Sequence, residues 1–145
     1  KFLETRHSFH THQTISNFIS NCNISVNTYL LGIFCVKKNI HIGNIKLGPI
    51  KVEHNLGSIS LFIGDKEYLG KGISSESIKV LSNYAFNELN LNKLTAGMYL
   101  KNTKSARAFM KVGFKKEGLR IKHYKIDGSY EDILELGLMK DDFKK

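Results

Sequence analysis

The chain has 145 residues, a length that fits one domain with a complete hydrophobic core. Hydrophobic residues make up 41% of the sequence and charged residues 24%, which excludes a disordered chain, and no apolar run approaches the roughly 20 residues that cross a membrane. The formal net charge of +9 favours anionic partners, which it attracts, over polycations, which it repels.

Apolar spacing and turn residues predict a mixed α+β domain over residues 1–145, without a linker or an internal repeat. The predicted elements are, in chain order, a helix at 11–20, strands at 26–36, 40–50 and 58–63, a helix at 74–89, a strand at 94–100, a helix at 104–112, and strands at 119–126 and 130–139. Pro49 predicts a bulge or an edge in the second strand, because proline cannot donate to a strand ladder. Gly113 ends the last helix, and Asp127-Gly128 predicts a hairpin between the last two strands.

A glycine-rich segment stands between the third predicted strand and the longest predicted helix. Successive backbone N–H groups of such a turn, followed by the positive end of a helix, can hold a phosphate group, and glycine lets the main chain approach it. The segment lacks the G-x-x-x-x-G-K-[ST] frame of a Walker loop, and Ser75 replaces the third glycine of a G-x-G-x-x-G dinucleotide fingerprint. A phosphate-bearing ligand is therefore predicted, with an ordinary glycine-rich turn as the alternative. The segment consists of Leu69, Gly70, Lys71, Gly72, Ile73 and Ser74.

This segment resembles the Q/R-x-x-G-x-G/A coenzyme A loop of GNAT N-acyltransferases, with Leu69 in place of the first Gln or Arg and Ser74 in place of the last small residue. Residues 102–118 (NTKSARAFMKVGFKKEG) resemble the N-x-x-S/A…K-x-G-F-x-x-E-G block of the same family, in the expected order and at the expected distance. The resemblance covers about residues 26–140. It implies the α+β GNAT acyl-CoA N-acyltransferase fold, with a mixed, mostly antiparallel sheet that splays at the cofactor strands and is flanked by helices.

The family's usual first strand and first helix have no counterpart in the sequence, which begins at Lys1, so a truncated N-terminus is expected. The resemblance implies acetyl-coenzyme A as the acetyl donor and no metal. Its pantetheine arm would enter between the strands at 58–63 and 94–100 and pair with main chain, as a peptide strand adds to a sheet edge. The residues expected to contact the cofactor are Phe62, Ile63, the six loop residues from Leu69 to Ser74, Asn102, Ser105 and Phe109.

The resemblance also bears on the acid that would protonate the leaving sulfur. Many family members place a tyrosine in the second motif, whereas this chain has Phe109, which cannot donate a proton. A thiol of pKa about 8.5 leaves readily as thiolate, and Ser105 is the nearest hydroxyl to assist, unless it only caps or lines the helix. Ser105 and Tyr99 are the catalytic candidates. The general base stays open among Glu53, His54, Tyr99 and Tyr124.

A site with few obvious bases suits an amine of low pKa, such as an amino sugar or an α-amino group, and the net charge favours an anionic, nucleotide-linked acceptor. Residues 41–50 are most similar to family members that modify amino sugars. We therefore expect a cytoplasmic enzyme that acetylates a small primary amine, with a homodimer as one option for its assembly. A ribosomal-protein or peptide N-terminal acetyltransferase and an inactive acyl-CoA-binding module are the alternatives.

Three other features give no further function. His7, His10 and His12 are close in sequence, but no carboxylate or cysteine completes a metal set. The lysines are scattered and no recognition motif accompanies them, which makes nucleic acid a disfavoured partner. Cys22 and Cys35 are too few for a disulfide framework and fit a reducing cytoplasm.

Overall fold

The computed structural model describes residues 8–144, which form three α-helices and a six-stranded sheet. The elements are α1 (His12–Ile24), β1 (Tyr29–Cys35), β2 (Ile40–Lys51), β3 (Leu56–Ile63), α2 (Ile73–Asn87), β4 (Lys93–Tyr99), α3 (Thr103–Val112), β5 (Lys115–Ile126) and β6 (Ser129–Met139). Every helix and strand predicted from the sequence is present, in the predicted order. The described helices do not combine the length and hydropathy that a bilayer crossing requires.

The sheet has the strand order β1-β2-β3-β4-β6-β5, and only the β3–β4 pair is parallel. This confirms the mixed, mostly antiparallel sheet. The predicted irregularity at Pro49 is confirmed as well, because the register of β2 against β3 shifts between Leu47 and Ile50. The hairpin of β5 and β6 turns at Asp127 and Gly128, which both have positive φ angles.

Helices α2 and α3 pack on one face of the sheet and enclose the core. The predicted apolar stripe of α2 is buried at Ile78, Leu81 and Ala85, and it packs with Leu94 of β4 and Leu136 of β6. Burying an aliphatic side chain of this size stabilises the fold by about 1.5–3 kcal/mol. The core therefore holds α2 and α3 rigidly over β4, next to the end of β3.

The bounds of three elements differ from the prediction by more than two residues. Helix α1 runs to Ile24, four residues further than predicted, and its last two turns include the buried side chain of Cys22. Strand β1 begins at Tyr29 rather than at residue 26, since the carbonyl of Asn27 instead accepts a hydrogen bond from the N–H of Ile50. Strand β5 begins at Lys115, four residues early, because its pairing with β6 continues through a bulge to Gly137.

Candidate functional site

Strands β3 and β4 pair only at their beginnings and then part. Residues Leu56, Gly57 and Ser58 pair with Lys93, Leu94 and Thr95, respectively. Beyond Ser58, β3 stays paired with β2 as far as Ile63, and β4 stays paired with β6 as far as Tyr99. Each strand is thus held on its outer side, so a gap stands open between residues 59–63 and 96–99. This is the splayed sheet that the sequence predicted.

The glycine segment connects the open end of β3 to α2. Gly70 and Gly72 have φ angles of 79° and 82°, which L side chains rarely adopt, and a Cβ atom at either position would meet no heavy atom within 4 Å. Gly72 is the N-cap residue of α2 and supplies no side-chain cap, so the first N–H groups of the helix keep their donors for a ligand. This geometry fits the anion cradle predicted from residues 69–74.

The remaining loop residues lie around this turn. Leu69 is half-exposed and follows a short 3₁₀ turn at Lys66–Tyr68, which the side chain of Asp65 caps by accepting the N–H of Glu67 at 2.9 Å. The ammonium nitrogen of Lys71 lies 5.2 Å from the centroid of the Tyr68 ring, within cation–π range. The loop is therefore fixed at both ends while its glycine backbone stays accessible.

Helix α3 begins beside the same gap, immediately after β4. The Oδ1 atom of Asn102 accepts the N–H of Ser105 at 3.3 Å, and the carbonyl of Asn102 accepts the N–H of Ala106. The side chain of Asn102 is thus engaged in capping α3. Ser105 is half-buried in the first turn of the helix, and the capping function belongs to Asn102.

Phe109 lies in the core rather than on an accessible surface. Its side chain is 2% exposed, and its ring meets Phe114 edge-on with centroids 5.0 Å apart. The burial does not favour the predicted contact between this ring and the pantetheine arm, since little of its surface is left for a ligand. The ring stabilises α3 against the sheet instead.

Tyr99 ends β4 on the sheet face that α2 and α3 do not cover. Side chains alternate along a strand, and Ala96 and Met98 point into the helical core, so Tyr99 points to the opposite face. Its ring is 5% exposed and meets Tyr124 edge-on with centroids 6.2 Å apart. Tyr124 in turn contacts the ring of His123 at 4.6 Å. Two of the four candidate bases therefore lie together.

The other two candidate bases lie at the end of β3 that is opposite the gap. Glu53 and His54 belong to a 3₁₀ turn that joins β2 to the beginning of β3. The open end of β3 is at Ile63, and a strand of this length spans about 26 Å. The structure therefore does not bring Glu53 or His54 to the gap, since the sequence did not reveal which end of β3 opens into it.

Sequence reasoning missed a carboxylate on the uncovered face of the sheet. Glu135 pairs with Gly97 across β4 and β6, and a Cβ atom on Gly97 would lie 3.3 Å from its Oε1 atom. Its Oε1 atom forms an ion pair with the Nη2 atom of Arg120, 2.7 Å away. Glu131, four residues earlier on the same strand, is buried and paired with Lys101. The one acidic residue inside the apolar segment 133–138 was the available signal for Glu135.

A thiol and a phenol face each other beside an apolar groove of about 640 Å³ between β1 and α2. A hydrogen bond from the Tyr68 hydroxyl lowers the pKa of the Cys35 thiol, with smaller contributions from the N–H groups and charge of Lys38. The same hydrogen bond, together with burial, raises the pKa of Tyr68 to about 12. No sequence pattern predicted this pair, because Cys35 and Tyr68 lie on separate elements.

The part of the chain that the structure describes contains no group of three or more His, Cys, Asp or Glu side chains placed to hold a metal ion. His10 and His12 are exposed near the beginning of α1. His7, the third histidine of the sequence cluster, lies outside the described residues.

Known proteins resemble this chain over most of its length. Residues 4–115 match the family model described as an acetyltransferase (GNAT) domain. Over 115 residues the chain is 36% identical to the Probable N-acetyltransferase YjcK of Bacillus subtilis (strain 168), which covers 79% of this chain and 63% of that protein. Over 107 residues it is 27% identical to the Spermidine N(1)-acetyltransferase of Vibrio cholerae serotype O1, which covers 74% of this chain and 61% of that protein.

The chain thus spans about three fifths of the length of these curated relatives. Among solved structures, the spermidine N-acetyltransferase from Vibrio cholerae in complex with CoA and spermine is similar, with a TM-score of 0.85 at 20% identity. The match covers 92% of this chain and 78% of that one. At this level of identity the likeness shows the fold, and it confirms the fold predicted from the two motifs.

Proposed function

Because the chain belongs to the GNAT acetyltransferase domain family, we propose that it binds acetyl-coenzyme A between β3 and β4 and transfers the acetyl group to a primary amine of a small molecule. One observation carries this proposal: the gap where β3 and β4 part opens beside an accessible glycine turn at the beginning of a helix. The residues present fit this cofactor, since the turn can take its pyrophosphate and the free edge of β3 can take its amides.

In the proposed complex the first N–H groups of α2, with the backbone of residues 69–74, hold the pyrophosphate. The pantetheine amides pair with main chain near Phe62 and Ile63, at the open end of β3. A main-chain N–H group at the same end stabilises the negative charge that develops on the thioester oxygen. The amine, in its neutral form, then forms the new C–N bond through its nitrogen, the C–S bond breaks, and the sulfur leaves as thiolate. The proton that the nitrogen loses as the amide forms balances the one that the thiolate takes up, so the products are the amide and the free thiol of coenzyme A.

Proton transfer in this site would use hydroxyl groups rather than a carboxylate. Phe109 has no proton to give, and a thiol of pKa about 8.5 leaves as thiolate without strong assistance. Ser105 stands in the first turn of α3, and Tyr99 ends the strand that leads into this helix. We assign to Ser105 the proton that reaches the sulfur, directly or through water, and to Tyr99 the hydrogen bond that orients the amine.

For the acceptor, the comparisons give no support to the anionic or amino-sugar-like molecule that the net charge predicted, and we propose a cationic, polyamine-like amine. Three relatives, one from Vibrio cholerae and two from strains of Escherichia coli, carry the name Spermidine N(1)-acetyltransferase. The uncovered face of β4 and β6, from which an acceptor would approach, also carries the carboxylate of Glu135 beside Gly97, and a cationic acceptor would share this carboxylate with Arg120. An acceptor meets the charges near the site, whereas the value of +9 describes the whole chain.

The proposed function is tested by thiol release from acetyl-coenzyme A with spermidine, glucosamine and a peptide α-amine as acceptors. We expect turnover with spermidine, and loss of both binding and turnover in Gly72→Glu, which adds bulk and negative charge to the anion cradle. Gly128→Glu is the matched control, because Gly128 has a similar φ of 84° and equally open surroundings at the hairpin turn. The control should keep cofactor affinity.

Three results would count against the proposal. Equal affinity of the Gly72→Glu variant and the parent chain for acetyl-coenzyme A would contradict cofactor binding at the glycine turn. Turnover confined to glucosamine would restore the amino-sugar acceptor, and turnover confined to the peptide would point to N-terminal acetylation. Tight cofactor binding without thiol release in the presence of any acceptor would indicate an inactive acyl-CoA-binding module. The absence of a tyrosine at Phe109 favours this alternative.

A further inference from the structure

The apolar groove between β1 and α2 has no role in the proposed acetyl transfer, and its two walls are regular. Side chains at every second position of a strand share a face, and residues three or four apart in a helix share a stripe. The volume of about 640 Å³ lies in the range of small-ligand pockets. Each wall contributes four such positions, which are Tyr29, Leu31, Ile33 and Cys35 of β1 and Ile73, Ser77, Val80 and Tyr84 of α2.

The walls of the groove are apolar and open to water. Phe34, which also lines it, is 58% exposed, and Val80 is 66% exposed. Exposed apolar side chains that line a concave surface are typical of a binding site. At the beginning of β1 the rings of Tyr29 and Tyr84 meet edge-on, with centroids 6.0 Å apart, and bridge the two walls. The groove is therefore bounded at this end and suits one apolar chain of limited length.

A nucleophilic sulfur stands at the other end of the groove. Cys35 is half-buried, and its thiol accepts a hydrogen bond from the Tyr68 hydroxyl, with further support from the backbone N–H groups of Lys38 and Lys37. The ammonium nitrogen of Lys38 lies 5.9 Å from the centroid of the Tyr68 ring, so a positive charge accompanies the pair. These groups stabilise a thiolate and lower the pKa of the Cys35 thiol.

We propose that Cys35 is an acylation site, whose sulfur takes an acyl group of medium chain length from a thioester donor while the groove holds the chain. The Cys35 thiolate forms a new C–S bond with the carbonyl carbon, the C–S bond of the donor breaks, and the donor sulfur leaves as thiolate. The proton that Cys35 released before the attack balances the one that the leaving thiolate takes up. One thiolate replaces another, so the exchange needs no oxidant or reductant. The product is an S-acyl cysteine whose chain runs along β1 toward Tyr29.

Thioesters of N-acetylcysteamine test this inference independently of the proposed function, because they carry an acyl group but no nucleotide. Intact-mass spectrometry measures the labelling rate. We expect the octanoyl donor to label the chain at least about tenfold faster than the acetyl donor, since each buried methylene contributes about a factor of four. Peptide mapping should place the label on Cys35, and Cys35→Ser should abolish it. Cys22, which is buried in α1 away from the groove, should stay unlabelled.

Three variants separate the groove from the reactivity of the thiol. Val80→Glu places a charge on the wall and should remove most of the preference for the octanoyl donor. Asn83→Glu is the matched control, because it makes the same change of charge at an exposed position of α2 outside the groove. Tyr68→Phe removes only the hydroxyl, so it should slow both donors by a similar factor of at least about three and keep their ratio.

The outcomes that contradict the inference are separate from those that contradict the proposed function. Equal rates for the two donors, or a label that reaches Cys22 as fast as Cys35, would overturn it. The same holds for an octanoyl preference that survives in Val80→Glu, and for rates that Tyr68→Phe leaves unchanged. A chain that binds acetyl-coenzyme A in a titration but leaves Cys35 unlabelled would overturn this inference alone.

Discussion

Phe109 stabilises the core, although its position in the second motif suggested a contact with the cofactor. Its ring is enclosed between α3 and the sheet and packs against Phe114, which directly follows the C-cap glycine of the helix. A hydroxyl added at this position would be buried and would need a partner of its own. The phenylalanine therefore fits a core that leaves acid catalysis to other groups.

We predict that Phe109→Ala lowers the free energy of unfolding by about 3–5 kcal/mol, the range for an aromatic side chain removed from a core. Met110→Ala is the matched control on the same helix, because Met110 is 37% exposed and should cost less than about 2 kcal/mol. Urea unfolding followed by circular dichroism measures both values. Equal losses in the two variants would mean that Phe109 does not occupy the core.

At the scale of the element, α3 depends on its caps. The helix has only ten residues, and helices this short are marginal without tertiary packing and capping. Asn102 satisfies a free N–H group at its beginning, and Gly113, with a φ of 115°, lets the chain leave in the left-handed conformation at its end. The proposed cofactor gap borders the first of these caps.

Substituting Asn102 separates capping from cofactor contact. Asn102→Ala should destabilise the protein by about 0.5–2 kcal/mol, whereas Asn102→Ser keeps a capping oxygen and should cost only a few tenths. If the side chain only caps α3, Asn102→Ser will also keep its affinity for acetyl-coenzyme A, measured by titration. A loss of affinity in Asn102→Ser at unchanged stability would instead show that the amide contacts the cofactor.

At the scale of the whole molecule, the net charge acts on the two proposed substrates with opposite sign. A chain of +9 attracts the phosphates of coenzyme A and repels a polyamine at long range. Partly buried carboxylates such as Glu135 are screened by salt much less than the distant surface charges are. Long-range repulsion and local attraction can therefore coexist for a cationic acceptor.

We predict that raising the salt concentration from about 0.05 to 0.3 M weakens acetyl-coenzyme A binding by at least about twofold while kcat/KM for spermidine rises or stays constant, because salt screens the distant charges first. Steady-state kinetics at saturating acetyl-coenzyme A measures kcat/KM for spermidine independently of cofactor binding. A value of kcat/KM for spermidine that falls as steeply as the cofactor affinity would contradict this separation of distant and local charges.

The sequence by itself determined the elements, the glycine turn and the family. These features depend on near neighbours in the chain: apolar spacing located α2, glycines with positive φ marked the anion turn, and Gly113 marked the end of α3. Their bounds moved by up to four residues, for example where strand pairing extended β5 to Lys115.

Only the tertiary structure decided which residues share a site. The order β4-β6-β5 places Tyr99 beside Tyr124 and Glu135 over Gly97, while Glu53 and His54 fall at the far end of β3. The cleft between α2 and α3, which is lined by several lysines, likewise exists only because these two helices lie side by side. Such juxtapositions depend on strand order, register and the packing of distant segments, whose free energies no local pattern records.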